Sequence, residues 1–349
     1  PTDFNTKNQD TPIDFSNVYV AQPSDNVTWI NSKIANGLHI VFGPGIYNLT
    51  GTIVVNVPNL VLLGIGFPTF ISHNGAPCFH IGNVDGVRVG GIIVESGDVY
   101  GQTLFQWGDI NNNTSGNGNG RGSGRGRDNG SGTSGRGSSS TSSSYKGNPN
   151  NPGFLYDFFA RVGGDNNQYV SQVSADTMLV INSDYVVVDN TWLWRADHGV
   201  GGLVYNGDNP CNVALQVNSD NVTMYGLAAE HTLTDLVQWN GEHGRVYFYQ
   251  SEFPYDVTPS YQTNGYVSYR VHPSVQHHTA FGVGAYSYFR DYSVTAVSGF
   301  ACGSSSDVQF TSALTVFLNG NGGIAHVIND VGGAVQSGTS LSYQCNFNS

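Results

Sequence analysis

Short apolar runs of four to six residues recur along the 349-residue chain, each bounded by Gly, Asn or Asp. LHIVFGPGIYNL, GTIVVNVPNLVLLGIG, NVDGVRVGGIIVES, NSDYVVVDNTWLWRAD, NSDNVTMYGLAAEHT, GRVYFYQSEF and SDVQFTSALTVFLN all show the pattern. Val and Ile are enriched in the runs, which is strand length and strand chemistry. Helical spacing occurs only in NVTWINSKIA and predicts one short helix over 27–35. The best internal echo is NSDYVVVDN at 182–190 against NSDNVTMYG at 218–226. Irregular repeats of a few tens of residues with Asn/Gly corners predict a solenoid. Its coils would stack parallel strands about 4.8 Å apart, and Gly or Asn would take the corner conformations other residues resist. An antiparallel sandwich would instead carry turn signals about every 8–12 residues and tight two-residue hairpins. The pattern therefore predicts an all-β chain forming a single right-handed parallel β-helix, with the helix at 27–35 capping its first coil.

One stretch breaks the pattern. Residues 111–152 are Gly/Ser/Asn/Arg-rich with a single aromatic residue, and so cannot offset the entropy of ordering. A linker between two domains would need each side to bury its own core, and the side before it is short. The expected organisation is one β-helix domain over 1–349 with 111–152 as a low-complexity surface insertion.

Composition narrows the partners. Charged residues make up 11% of the chain, against about 25% in ordinary proteins. The formal net charge is -12; the basic residues Arg121, Arg125, Arg127, Arg136 and Lys146 lie within the low-complexity stretch, so the remainder is more acidic still. Such a surface repels phosphate backbones and anionic lipid, so neither nucleic acid nor a membrane is an expected partner. Acidic polysaccharides are disfavoured on the same ground. No apolar run is long enough to cross a bilayer. Start at Pro1, together with N-x-S/T triplets at Asn26, Asn48, Asn112, Asn113, Asn129 and Asn221, fits a processed, secreted, extracellular glycoprotein. Cys78, Cys211, Cys302 and Cys345 lack metal-type spacing. Disulfides, such as Cys302–Cys345, and buried thiols both remain open.

Carboxylates are scarce, yet AAEHTLTDLVQWNGEHGRVYFYQSEFPYD at 228–256 places Glu230, Glu242, Glu252 and Asp256 among aromatic residues. Glu230 and Glu252 are about one coil apart, so matching positions would set them side by side. Two carboxylates that close cannot both ionise cheaply, and one should hold a proton near neutrality. A neutral carboxylic acid is what protonation of a glycosidic oxygen requires. The plain alternative is sheet-face acids capped by corner amides. Glu242, in NGEHGR, is expected at an exposed corner; Asp256 is placed to orient a neighbour of Glu252, with a turn cap as the preferred reading. His277 and His278 are adjacent and should point to opposite faces of a strand. Trp194, Trp239, Tyr249 and Tyr255 could stack on sugar or pack inside, and Asp197 and His198 could line a site or close a corner. A polysaccharide lyase would need a calcium cluster of acids, for which Asp184, Asp189 and Asp197 could serve, and a base, for which Arg195 alone is placed, and the negative chain argues against a uronate polymer. The Gly-x-Gly pairs at 64–66 and 282–284 lack a nucleotide-binding context.

The stretches NTWLWRADHG, VTMYGLAAEHT and YQSEFPYD, in that order, resemble the carboxyl-terminal β-helix of glycoside hydrolase family 55, the exo-acting β-1,3-glucanases. Trp192, Trp194, Ala196, Asp197 and His198 match its first motif, Tyr225, Gly226, Glu230 and His231 its second, and Gln250, Glu252, Pro254 and Tyr255 its third, with Ser251 in place of Thr. Close likeness covers about 176–260, and the chain also resembles secreted single-β-helix, pectin-lyase-like bacterial proteins. The resemblance implies Glu252 as general acid, Glu230 as the neighbour tuning its proton, inversion of configuration, no cofactor or metal, and a neutral glucan as partner. It suggests Trp194, Asp197, His198, His231, Gln250 and Tyr255 as substrate-binding residues. Family members carry two β-helices with substrate between them, whereas this chain has room for one. A hydrolase and a non-catalytic wall, matrix or fibre-forming glycan-binding protein capable of self-association therefore both remain open.

Overall fold

The computed structural model describes residues 13–109, 145–163, 173–198, 204 and 207–349. The expected insertion therefore lies largely outside the described residues. The strands on either side of it, Gly101–Trp107 and Gly153–Val162, belong to the same two stacked sheets. The expected parallel β-helix is what forms: successive coils pair strand on strand, parallel and in register. One sheet runs from Val18–Ala21 to Val308–Ile324, the other from Ile53–Val55 to Phe300–Ala301. The final strand, Leu341–Asn348, turns back antiparallel on Val308–Ile324 and covers that end of the stack.

Alternation along each strand fills the interior. Leu62, Val89, Leu155, Val188, Met224, Val246, Ala280 and Phe310 occupy one register row and all are buried. Phe79, Phe105, Leu179, Leu215, Val237, Tyr269 and Phe300 form the facing row in the second sheet. The helix at Val27–Ala35 buries Ile30 and Ile34 and is capped by Asn26, which accepts from the Trp29 amide at 2.8 Å. Asn31 donates to the Thr52 carbonyl and accepts from the Val54 amide, so this helix pairs the open edge of the first short strand.

The echo between 182–190 and 218–226 is a stacked corner. Asn218 donates to Asn182 and Asn240 donates to Asn218, each at 2.8 Å. Asp184 accepts from the Asp220 amide, and Asp220 in turn from the Glu242 amide. A second corner bends the long strands. Gly91, Asp157, Asn190, Gly226, Phe248, Gly282 and Ser312 all have positive φ, and the pairing steps past each of them. Each long strand thus presents two outer faces.

The disulfide expectation is corrected: all four cysteines are free. Cys78 and Cys211 sit in the interior on different coils, where burial pushes both thiols up to about 12 and keeps them protonated. Cys345 is exposed on the final antiparallel strand, and half-buried Cys302 accepts from Asn329. His277 and His278 do face opposite ways, His278 into the core and His277 to solvent.

Gly226 tests the corner, because a Cβ there would meet nothing closer than 3.9 Å and only its backbone angle, φ +62°, demands glycine. Gly226→Val is expected to cost about 1–2 kcal/mol in chemical denaturation.

Candidate active site

Beyond the corner, alternation sets the outward residues. Leu193, Ala229 and Ser251 point inward and are buried, so Trp192 and Trp194, Ala228 and Glu230, and Gln250 and Glu252 point out. Register then places Trp194, Glu230, Glu252 and Tyr286 in one row across four coils. Trp192, Ala228, Gln250 and Gly284 form the parallel row. The small side chain at Ala228 leaves room for Trp192 to reach across, and its Nε1 donates to Glu230 Oε2 at 2.9 Å. Tyr255, on the turn after Glu252, donates its hydroxyl to Glu252 Oε2 at 2.6 Å.

Glu230 and Glu252 are therefore side by side, as their spacing predicted. The Glu230 carboxyl is pushed up to about 7, mainly by burial; the Glu252 charge adds to the rise, while hydrogen bonds from Trp192 and Gln250 oppose it. Crowding was the expected cause, and it ranks behind burial. The Tyr255 hydroxyl is raised by burial and by its bond to Glu252, so it remains a donor. Burial lowers His231, leaving its ring neutral; it lies 4.3 Å from the Tyr255 ring, with Nδ1 on the Phe253 carbonyl at 3.2 Å.

Beneath the pair lies a clamp. Arg195 is fully buried and binds Asp256 through two hydrogen bonds of 2.9 Å. The guanidinium also donates to the carbonyls of His231, Asp208 and Asn209, and Asp256 accepts from the Gly207 amide. Burial would raise Asp256, but the Arg195 hydrogen bonds and charge outweigh it and hold the carboxyl below its ordinary range. One cation thus ties the end of the Val186–Arg195 strand to the residue after Glu230 and the turn after Glu252.

A family model described as the LAM55 pectate lyase-like domain matches residues 18–252. The chain belongs to that family. An exo-β-1,3-glucanase of Streptomyces sp. SirexAA-E is 33% identical over 332 residues, covering 93% of this chain and 48% of the relative. The solved structure of that organism's sacteLam55A superposes with a TM-score of 0.80 over 95% of this chain and 55% of that one. A variant of the same protein in complex with glucose gives 0.79, with 95% and 54% covered, also at 33% identity. This LAM55 chain spans about half the length of the relatives it matches.

Within the LAM55 chain the expected site residues separate into two groups. Glu230, Glu252, Gln250 and Tyr255 converge on the outer face. Trp194 and His231 are buried, at 7% and 2% exposure, and so back the site instead of lining it. Trp194 packs against the Trp192 and His198 rings at 4.9 and 4.7 Å. Asp197 binds exposed His198 at 2.8 Å and lies 3.9 Å from His231. Trp239 and Tyr249 are core residues. Glu242 caps the Gln276 and His277 amides, and Asp256, expected as a turn cap, is the buried partner of Arg195. That commitment also removes Arg195 as a lyase base. Sequence reasoning missed Trp192 as the partner of Glu230, although its two-residue spacing from Trp194 and the small Ala228 in register carried the signal. It also missed the ion pair of Glu95 with Arg161, which lies in the same register row as Trp194.

Two outcomes follow from these charges. Below about pH 4.5 both folded and unfolded chains keep the Glu230 proton, whereas between 4.5 and about 7 only the unfolded chain releases it, so stability falls across that window. Glu230→Gln should abolish that slope in denaturation measured from about pH 4 to 8, matching wild type at the acid end and exceeding it at the alkaline end. Arg195→Met leaves Asp256 buried without its cation and is expected to cost about 3–5 kcal/mol, read as a lowered denaturation midpoint.

Proposed function

We propose that this LAM55 chain is a secreted glycoside hydrolase that acts on β-1,3-glucan or a related neutral glucan by inverting, acid-assisted hydrolysis. The observation that carries the reading is the in-register pair of Glu230 and Glu252, with a carboxyl held near pH 7 beside a second one bound by a tyrosine hydroxyl. Glu252 donates its proton to the glycosidic oxygen as the bond from the anomeric carbon breaks. Tyr255 stabilises the resulting carboxylate through its short hydrogen bond, and Glu230 returns a proton to it. Neighbouring strands are about 4.8 Å apart, and register sets the two carboxyls on one wall. Inverting pairs that flank a sugar and a water stand about 6.5–9.5 Å apart. In this reading Glu230 and Glu252, on one wall, act together on the leaving-group side, and inversion requires a further group to activate water on the opposite face of the ring.

A second reading is a glycan-binding scaffold without catalysis, favoured by the half-length match to the glucanase relatives. A reducing-sugar assay on laminarin separates the two. Wild type should release sugar, and Glu252→Gln should lower the rate about 10²–10⁴-fold while keeping laminarin bound. No sugar release by either protein, with binding retained, would establish the scaffold reading, and equal measurable rates would remove Glu252 as the acid.

A further inference from the structure

We propose that a notch on the other outer face of the long sheet is a second carbohydrate site, which takes one pyranose ring of the same neutral glucan chain. It rests on the glucan reading above for its ligand, but not on catalysis. The notch encloses about 360 Å³ between Leu63, Phe67, Arg88, Tyr156 and Asp157, and its floor is Gly90 and Gly91.

Gly90 is the informative residue. The outward row through it reads Leu63, Gly90, Tyr156, Asp189, Tyr225, Tyr247, Phe281, and every other position carries a substantial side chain. Two nearby glycines have backbone reasons: a Cβ on Gly64 would lie 2.2 Å from the Gly91 carbonyl oxygen, and Gly91 has φ +69°. Gly90 has neither. Its φ is not left-handed, and a Cβ there would meet Tyr156 at 3.4 Å, ordinary contact. Glycine inside a strand weakens it and marks close approach of a ligand or another backbone. With no second backbone requiring the gap, the missing side chain leaves space for a ligand.

The walls define its chemistry. Leu63 and Phe67 are 44% and 41% exposed, and Phe67 holds its place in a strained left-handed conformation, φ +54°. The Arg88 guanidinium is held 5.3 Å over the Phe154 ring, and the Asp157 carboxylate accepts from Asn190 at 2.6 Å. One cation and one anion beside an apolar wall suit a neutral ring with an apolar face and hydroxyl edges. An apolar peptide would strip water from both charges without replacing it. A row of packed rings links the notch to the carboxylate site. Phe67 stacks on Phe159 at 5.2 Å, Phe159 meets Trp192 at 6.3 Å, and Trp192 holds Glu230. From Gly90 to Glu230 is three strand spacings, roughly 14 Å along the axis, which a glucan chain spans and a disaccharide does not.

Gly90→Leu fills the notch without backbone strain. Calorimetric titration with laminarin of Glu252→Gln, chosen so that the titrant is not hydrolysed, and of the double variant that adds Gly90→Leu tests the proposal. Laminarin binding should weaken about tenfold when Gly90→Leu is added. Phe67→Gly, which suits the local backbone angle, should reproduce the loss should Gly90→Leu fail to fold. Laminarin binding unchanged in the notch variants overturns the proposal. So does a wild-type dimer in sedimentation that Gly90→Leu converts to monomer, because the notch would then join two copies. Notch-dependent binding without any hydrolysis would sink the catalytic reading and leave this one standing.

Discussion

In-register stacking of parallel strands is the constraint from which the other features derive. Once one coil is laid on the next, every outward side chain acquires a fixed neighbour about 4.8 Å away, whatever the length of chain between them. Glu230 follows Trp194 after a long excursion and precedes Glu252 after a much shorter one, yet all three share a row. The corners absorb the difference. Asn182, Asn218 and Asn240 bond to one another, and the left-handed residues from Gly91 to Ser312 bend every long strand at the same level. A shift of one residue at the Phe248 corner would turn Glu252 inward and Ser251 outward, since side chains alternate along a strand.

Adjacency alone does not hold a proton at neutral pH. Two carboxylates in open water at this distance repel only modestly, because solvent screens them. Burial of Glu230 is the larger effect, and Trp192, reaching across Ala228, donates to the carboxyl. That hydrogen bond favours ionisation. Gln250 likewise opposes the rise. The balance leaves the Glu230 carboxyl pushed up to about 7 rather than permanently protonated.

The fold was legible because periodicity and corner chemistry are local signals repeated many times: the helix at 27–35, the strand runs and the 182–190 echo each correspond to an element. The carboxylate pair was legible because its spacing matched a coil. Less visible was which outward residues stay accessible. Trp194 and His231 lie in the matched motifs as Glu230 and Glu252 do, but their burial follows from packing against the Trp192, His198 and Tyr255 rings. The pairing of Arg195 with Asp256 was hidden for the same reason. They are separated by 61 residues and two coils, and the 207–209 segment supplies further partners to both. The free cysteines depend likewise on tertiary placement, which counting four residues could not supply.

The buried cation explains how a stack of otherwise interchangeable coils can carry one distinctive place. A β-helix gains stability evenly along its length, so nothing in the stacking itself distinguishes one row position from another. Arg195 breaks that uniformity, because a fully buried guanidinium is tolerated only where several acceptors converge on it. Those acceptors are the carbonyls of His231, Asp208 and Asn209 and the carboxylate of Asp256, contributed by three separate returns of the chain. Satisfying one cation therefore requires the turn after Glu230 and the turn after Glu252 to take a single joint arrangement. The Tyr255 hydroxyl, one residue before Asp256, inherits its aim at Glu252 from that arrangement.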